Sequence, residues 1–149
     1  MPTTVLAVRL SVDPSLDPAD YPFRHRIRVR FAETDAMGIV HHSNYLLYLE
    51  ETRVEYLRAL GHPYDELRAD GVDYAVLESF VQYRQPLRFD DQLDVHLVMS
   101  AATRATFQMA YLLTVGGEVR ATAVTAHGAV SPAGRPVRLP AWLTALRAP

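Results

Sequence analysis

Between Asn44 and Leu60 the chain carries one apolar stripe at helical spacing, and this segment limits the available folds more than any other. Tyr45, Leu49, Tyr56 and Leu60, joined by Leu46, Val54 and Leu57, fall where a period of 3.6 stacks them on one face. Ser43 or Asn44 supplies the N-terminal cap, and Gly61 and Pro63 stop the helix. About 17 residues at 1.5 Å each give a rod roughly 25 Å long, enough to cross a sheet. Four strand-like segments follow: Asp73 to Arg84, Gln92 to Ser100, Ala105 to Val115 and Glu118 to Val130. Gly116-Gly117 makes a tight hairpin between the last two. Upstream, Arg26 to Phe31 alternates polar and apolar with the period of a strand. The small residues Ala121, Ala123, Ala126, Gly128 and Ala129 would let the helix approach the final strand closely. Strand, long helix, four strands predicts an α+β architecture, one buried helix against a curved antiparallel sheet. Residues Pro136 to Ala148 predict a short terminal helix with Pro140 near its first turn.

Composition narrows the function. The chain has 149 residues, 49% of them apolar, which suits one compact domain. We expect that domain to span residues 23–149, after an extension of residues 1–22. The extension holds a short strand, Val5 to Val12, and a loop from Asp13 to Pro22 with three prolines and three aspartates. A net charge of -2 gives no electrostatic footprint for nucleic acid. All 15 basic residues are arginine, a bias that reflects coding composition rather than chemistry. Without cysteine there is no disulfide, thiolate nucleophile or cysteine-ligated metal. The opening residues lack the basic start of a signal peptide, and no apolar run reaches the roughly 20 residues of a membrane span. These features lead to the expectation of a cytoplasmic protein.

The stretch from Phe31 to Tyr45 places an acid, a glycine turn and a helix start within a few residues. Asp35 lies on the strand-to-helix loop, Gly38 lets the backbone approach a ligand, and Ile39 and Val40 shield the site from water. His42 lies at the helix start, where its backbone N–H has no intrahelical acceptor. A carboxylate beside such an N–H could attack or hydrate a carbonyl while the N–H holds the developing oxyanion. Asp35 also suits a turn cap, and the His42 imidazole either orients water or serves only as a structural hydrogen bonder. The His41-His42 doublet lacks a second ligand at metal-binding spacing, so no metal is expected. Glu50 admits two readings, an i,i+3 ion pair with Arg53 or an acid on the inner helix face. Glu78 reads as solvent-facing, and His96, on the polar side of its strand with Asp94, reads as a surface residue. Arg104 sits on a loop suited to receiving a phosphate. No phosphate-cradling glycine pattern is present, so a nucleotide here would be a carrier handle, and no cofactor is expected.

Thr34-Asp35-Ala-Met-Gly38-Ile-Val40-His-His42-Ser-Asn44-Tyr45, with Glu50 and Arg53 on the following helix, resembles the signature of hotdog-fold acyl-CoA thioesterases, nearest to the 4-hydroxybenzoyl-CoA and YbgC-type groups. Arg84-Gln-Pro86-Leu-Arg-Phe-Asp90-Asp91-Gln-Leu93-Asp-Val95 resembles a second recurrent segment. The resemblance runs from about Arg26 to Val130. It implies a hotdog, a long helix wrapped by a five-stranded antiparallel sheet, paired edge to edge into a homodimer and often a tetramer. It further implies Asp35 as the catalytic acid, the His42 N–H as the amide that polarises the thioester carbonyl, and Gly38 and Val40 as its turn. By the resemblance Arg104 and Thr106 fall on a loop that in the benzoyl group touches the nucleotide end of CoA; Tyr45 and Glu50 are further candidates for substrate binding from their places on the helix. The N-terminal extension departs from the pattern, which starts near Phe23. Hotdogs also include acyl-CoA or acyl-carrier binding modules without turnover and 3-hydroxyacyl dehydratases. The acid at this turn and its order before His42 favour the hydrolase. The substrate this implies is an acyl-CoA or acyl-carrier thioester.

Overall fold

The computed structural model describes residues 10–146. Its frame is a five-stranded sheet in the order β1-β3-β4-β5-β2, built from β1 (Phe23–Arg28), β2 (Asp73–Tyr83), β3 (Gln92–Ala102), β4 (Thr106–Val115) and β5 (Glu118–Val130). Every neighbouring pair is antiparallel. The long helix α1 (Asn44–Ala59) joins β1 to the rest, followed by α2 (Tyr64–Ala69); α3 (Ala141–Thr144) closes the described chain. This is the hotdog arrangement.

Side-chain spacing explains how α1 sits. Tyr45, Tyr48, Leu49, Thr52, Tyr56 and Leu57 are buried, and their separations of three and four residues make one continuous face. Each fully buried large apolar side chain on that face contributes ~2 kcal/mol of transfer free energy. Ser43 occupies the cap position but its hydroxyl makes no capping bond. Gly61 ends the helix with φ +81°, and the His62 N–H returns to the Leu57 carbonyl at 2.9 Å. The helix comes closest to β1 and β3. Ala121, Ala123 and Ala129 of β5 share one core cluster with Tyr45, Tyr48, Leu49 and Tyr56 of the helix and with larger side chains of β3 and β4, among them Leu97, Met99, Phe107, Met109 and Tyr111.

Two further expectations shift. β1 runs Phe23–Arg28 rather than Arg26 to Phe31, because the chain leaves the sheet after Arg28 and enters a 3-10 turn at Phe31–Glu33. Residues 10–12 of the anticipated first strand are not strand, and residues 5–9 lie outside the described part. What residues 10–22 do instead is cover the sheet's outer face. Val12 and Tyr21 pack with Val98, Ala110, Leu112 and Val119 in a second apolar cluster. The Gln108 side chain holds both the N–H and the hydroxyl of Ser11, and the Tyr21 hydroxyl donates to the Ser15 carbonyl at 2.7 Å. His96 is therefore buried, not a surface residue: it lies beside the Tyr21 ring and bonds Thr114 at 3.0 Å. Glu78 is half-buried on β2.

Candidate functional site

After β1 the backbone must reverse before α1 begins, and Glu33 fixes that reversal. Its carboxylate accepts from the Arg30 N–H at 2.8 Å, the Arg30 guanidinium at 2.9 Å and the Tyr48 hydroxyl at 2.8 Å. Its carbonyl accepts from the His41 N–H and from the Asn44 amide. Burial alone would raise the Glu33 carboxyl, but these donors hold it below the usual carboxylate range. The same burial, with the Glu33 carboxylate as partner, pushes the Tyr48 phenol up. Thus one side chain ties the end of β1 to the first turns of α1. Nothing in the sequence around Glu33 marks it as a site residue; its one local signal is an acid three residues after Arg30, the spacing of a capping box.

On this support sits the tight turn from Asp35 to Ile39. The Asp35 N–H donates to the Ile39 carbonyl at 2.8 Å, and the Gly38 N–H returns to the Asp35 carbonyl at 2.9 Å. Gly38 has φ +76°, a conformation that favours glycine. One carboxylate oxygen of Asp35, Oδ1, accepts from the Met37 N–H at 2.8 Å, which orients the group; Oδ2 has no protein partner among the described residues.

The amides divide clearly. Gly38 N–H is used within the turn, and Val40 N–H donates to the Leu87 carbonyl at 2.8 Å. Ser43 N–H goes to the His41 ring at 3.2 Å. The His42 N–H has no acceptor among the described residues. The His42 imidazole stacks on His41 with ring centres 4.2 Å apart, exposed to solvent, and makes no bond to Asp35.

Asp35 and His42 line one groove of about 370 Å³. Tyr45, buried at the start of α1, forms its floor and meets the Tyr83 ring edge-on at 4.8 Å. Arg84, Gln85 and Pro86, just beyond β2, supply the far wall, and the Tyr83 hydroxyl donates to the His42 carbonyl at 3.4 Å. A polarised carbonyl lying between the Asp35 carboxylate and the His42 amide is the chemistry this groove can serve.

Other sequence-derived residues lie elsewhere. Glu50 lines a different cavity with Arg53 and does not form the anticipated ion pair with it; Arg53 turns inward and donates to the Tyr111 hydroxyl at 3.3 Å. Arg104 and Thr106 stand at the opposite end of the sheet from the groove. Thr106 pairs with Gly128, which pairs with Ala75, whereas Tyr83 pairs with Ala121. Thr106 is engaged by the Thr103 hydroxyl at 2.6 Å, and Arg104 shares a shallow cavity with Arg138. Among the described residues no helix is long and apolar enough to cross a membrane.

Comparison with known proteins agrees with this fold. Residues 29–146 match the family model described as the thioesterase-like superfamily. A crystal structure of a hypothetical protein from Aquifex aeolicus superposes with a TM-score of 0.81 at 40% identity, covering 85% of this chain and all of that one. The 1,4-dihydroxy-2-naphthoyl-CoA hydrolase of Synechococcus elongatus is 30% identical over 132 residues, 84% of this chain and 96% of the relative. The acyl-CoA thioester hydrolase YbgC of Escherichia coli O157:H7 is 37% identical over 73 residues, 49% of this chain and about half, 54%, of the relative.

Proposed function

The chain belongs to the thioesterase-like superfamily, and we propose that it hydrolyses an acyl-CoA thioester with the Asp35 carboxylate and the His42 amide as its working pair. The observation that carries this reading is the division of amides around the groove: among the described residues, a carboxylate with an unpartnered oxygen stands beside an N–H that no acceptor uses. The thioester carbonyl accepts from the His42 N–H, and as attack proceeds its oxygen gains charge that the N–H and the adjoining helix start stabilise by about 3 kcal/mol.

Asp35 acts by one of two balanced routes. As general base it takes a proton from water, hydroxide adds to the carbonyl, and the C–S bond breaks to release the CoA thiolate, which is then protonated. As nucleophile its Oδ2 displaces the thiolate to form a mixed anhydride, which water opens to the free acid and regenerated Asp35. Single turnover in 18O-water tests the second route: label found in the Asp35 carboxylate marks an anhydride that water opens at the Asp35 carbonyl, since the first route puts label only in the product acid.

Incubation with a panel of acyl-CoAs and a thiol-detecting dye tests the reading. Thiol release, lowered about 10²–10⁴-fold in Asp35→Asn with the fold retained, is the expected result. Binding without release would assign a non-catalytic acyl-binding module, and loss of water from a 3-hydroxyacyl thioester would assign a dehydratase. Near wild-type turnover by Asp35→Asn would remove that residue from the mechanism.

We propose a homodimer joined through β2, with a tetramer as a further step. β2 is an edge strand that leaves Val76, Leu77, Phe80 and Tyr83 exposed. Antiparallel pairing of two such edges sets the Arg104 end of one chain toward the Asp35 end of the other. Arg104 then receives CoA phosphate across the pair: Arg104→Ala should raise KM for acyl-CoA and leave KM for the matching pantetheine thioester unchanged. Equal effects on both would release Arg104 from that role.

A further inference from the structure

Beneath the second half of α1, a second cavity of about 370 Å³ shares no lining residue with the Asp35 groove. Val54, Leu57, Phe107 and Met109 make its apolar walls. The volume is that of a small-molecule site.

One side chain in this cavity lacks what its chemistry requires. The Arg53 guanidinium reaches in to the fully buried Tyr111 hydroxyl, at 3.3 Å. From there a chain of neutral groups continues, Tyr111 to Thr125 at 2.8 Å and Thr125 to the His127 ring at 2.7 Å. No carboxylate of the described residues lies within ion-pair distance of Arg53. Glu50, which also lines the cavity, is exposed on the preceding turn and does not pair with it. An arginine cannot discharge its cost by losing a proton, so a half-buried guanidinium held only by neutral partners is short of an anion. The Tyr74 hydroxyl, from another lining residue, is also buried without a partner among the described residues. The apolar walls require that the anion arrive on a hydrocarbon body, and a planar carboxylate is the anion whose two oxygens match the guanidinium fork.

We infer that this cavity binds a compact organic carboxylate, its hydrocarbon body against Val54, Leu57, Phe107 and Met109 and its carboxylate on Arg53. The ligand is either a free acid or the far carboxyl of an acyl chain, and the two sources share this chemistry. The free-acid source is independent of the hydrolytic reading, because binding is read without turnover; the acyl-chain source rests on that reading.

Titration of the full-length protein with hexanoate and with 1-hexanol, followed by calorimetry and by the Met109 methyl resonance, tests it. Hexanoate should bind about tenfold or more tightly than the alcohol and shift Met109, as expected for a hydrogen bond between charged groups. Arg53→Leu should erase the difference. Arg53→Gln, which keeps a donor for Tyr111, guards against a folding defect and should erase it too. Equal binding of acid and alcohol, or a carboxylate preference that survives in both variants, would overturn the site. Hydrolysis assays then assign the source. A lower KM for adipoyl-CoA than for hexanoyl-CoA, lost in Arg53→Gln, indicates the acyl end; equal KM values with retained hexanoate binding indicate a free acid. Absence of all thiol release would count against the thioesterase reading alone, since the titration decides the cavity by itself.

Discussion

Glu33 shows how much of a site rests on a residue that need not touch substrate. Its carboxylate collects two donors from Arg30 and one from Tyr48, and its backbone carbonyl collects two more from His41 and Asn44. Glu33→Ala strands the Tyr48 hydroxyl and the Arg30 N–H and should lower stability by about 2–4 kcal/mol, read by urea unfolding. Glu33→Gln keeps most acceptors and should cost less stability, so a fall in kcat without a matching rise in KM would mark it as a positioning residue for the Asp35 turn. Asp35, Gly38 and His42 could be singled out because acid, glycine and helix start are adjacent in the chain. Glu33 could not be weighed in the same way, since Tyr48 lies 15 residues away and joins it only in the fold.

At the level of elements, what repeats locally was legible and what depends on distant partners was not. α1 and the four later strands carry long unbroken periods, and their observed limits fall within a few residues of the expected ones. β1 was displaced because Val29 and Phe31 continue its alternation after the backbone has left the sheet. α2, only six residues long, is too short to show a helical period. His96 alternates correctly, yet its burial comes from Tyr21, a contact across 75 positions that no local pattern encodes. The Asp35–Ile39 turn makes its own prediction. A Cβ at Gly38 would meet nothing within 4 Å, so only the φ of +76° opposes it. Gly38→Ala should therefore cost about 1–2 kcal/mol, measured as a lowered urea midpoint, with no steric penalty added.

For the molecule as a whole, buried histidines set the response to acid. Burial first, and the Arg53 charge second, drop the His127 ring from 6.5 to about 3. His96 is also lowered, again chiefly by burial. A depressed histidine stays neutral in the native state while the unfolded chain takes up its proton below about pH 6.5, so the unfolded state binds more protons and stability falls as pH falls. Each such group contributes a slope of up to ~1.4 kcal/mol per pH unit, beginning near pH 6.5. The lowered carboxyls of Glu33 and Asp94 act later, their contribution being lost only as pH drops through their own folded values. Urea unfolding between about pH 7 and pH 5 should thus report the histidines, and His127→Gln should flatten the slope. The proposed homodimer is tested separately: if it forms through β2, Phe80→Arg on that exposed edge strand should shift sedimentation from dimer to monomer, and a monomeric wild type would overturn the assembly.

The N-terminal segment across the outer sheet face also bears on synthesis. Ser11 waits for Gln108, 97 positions later. At translation rates of roughly 5–20 residues per second, that wait lasts ~5–20 s. β1 must likewise wait for β3, and β2 for β5, so no two strands consecutive in the chain pair until β3 meets β4. A nascent chain that has not yet reached β3 would therefore present the apolar face of α1 and two unpaired strands at once, and that ribosome-bound intermediate is the form most open to aggregation.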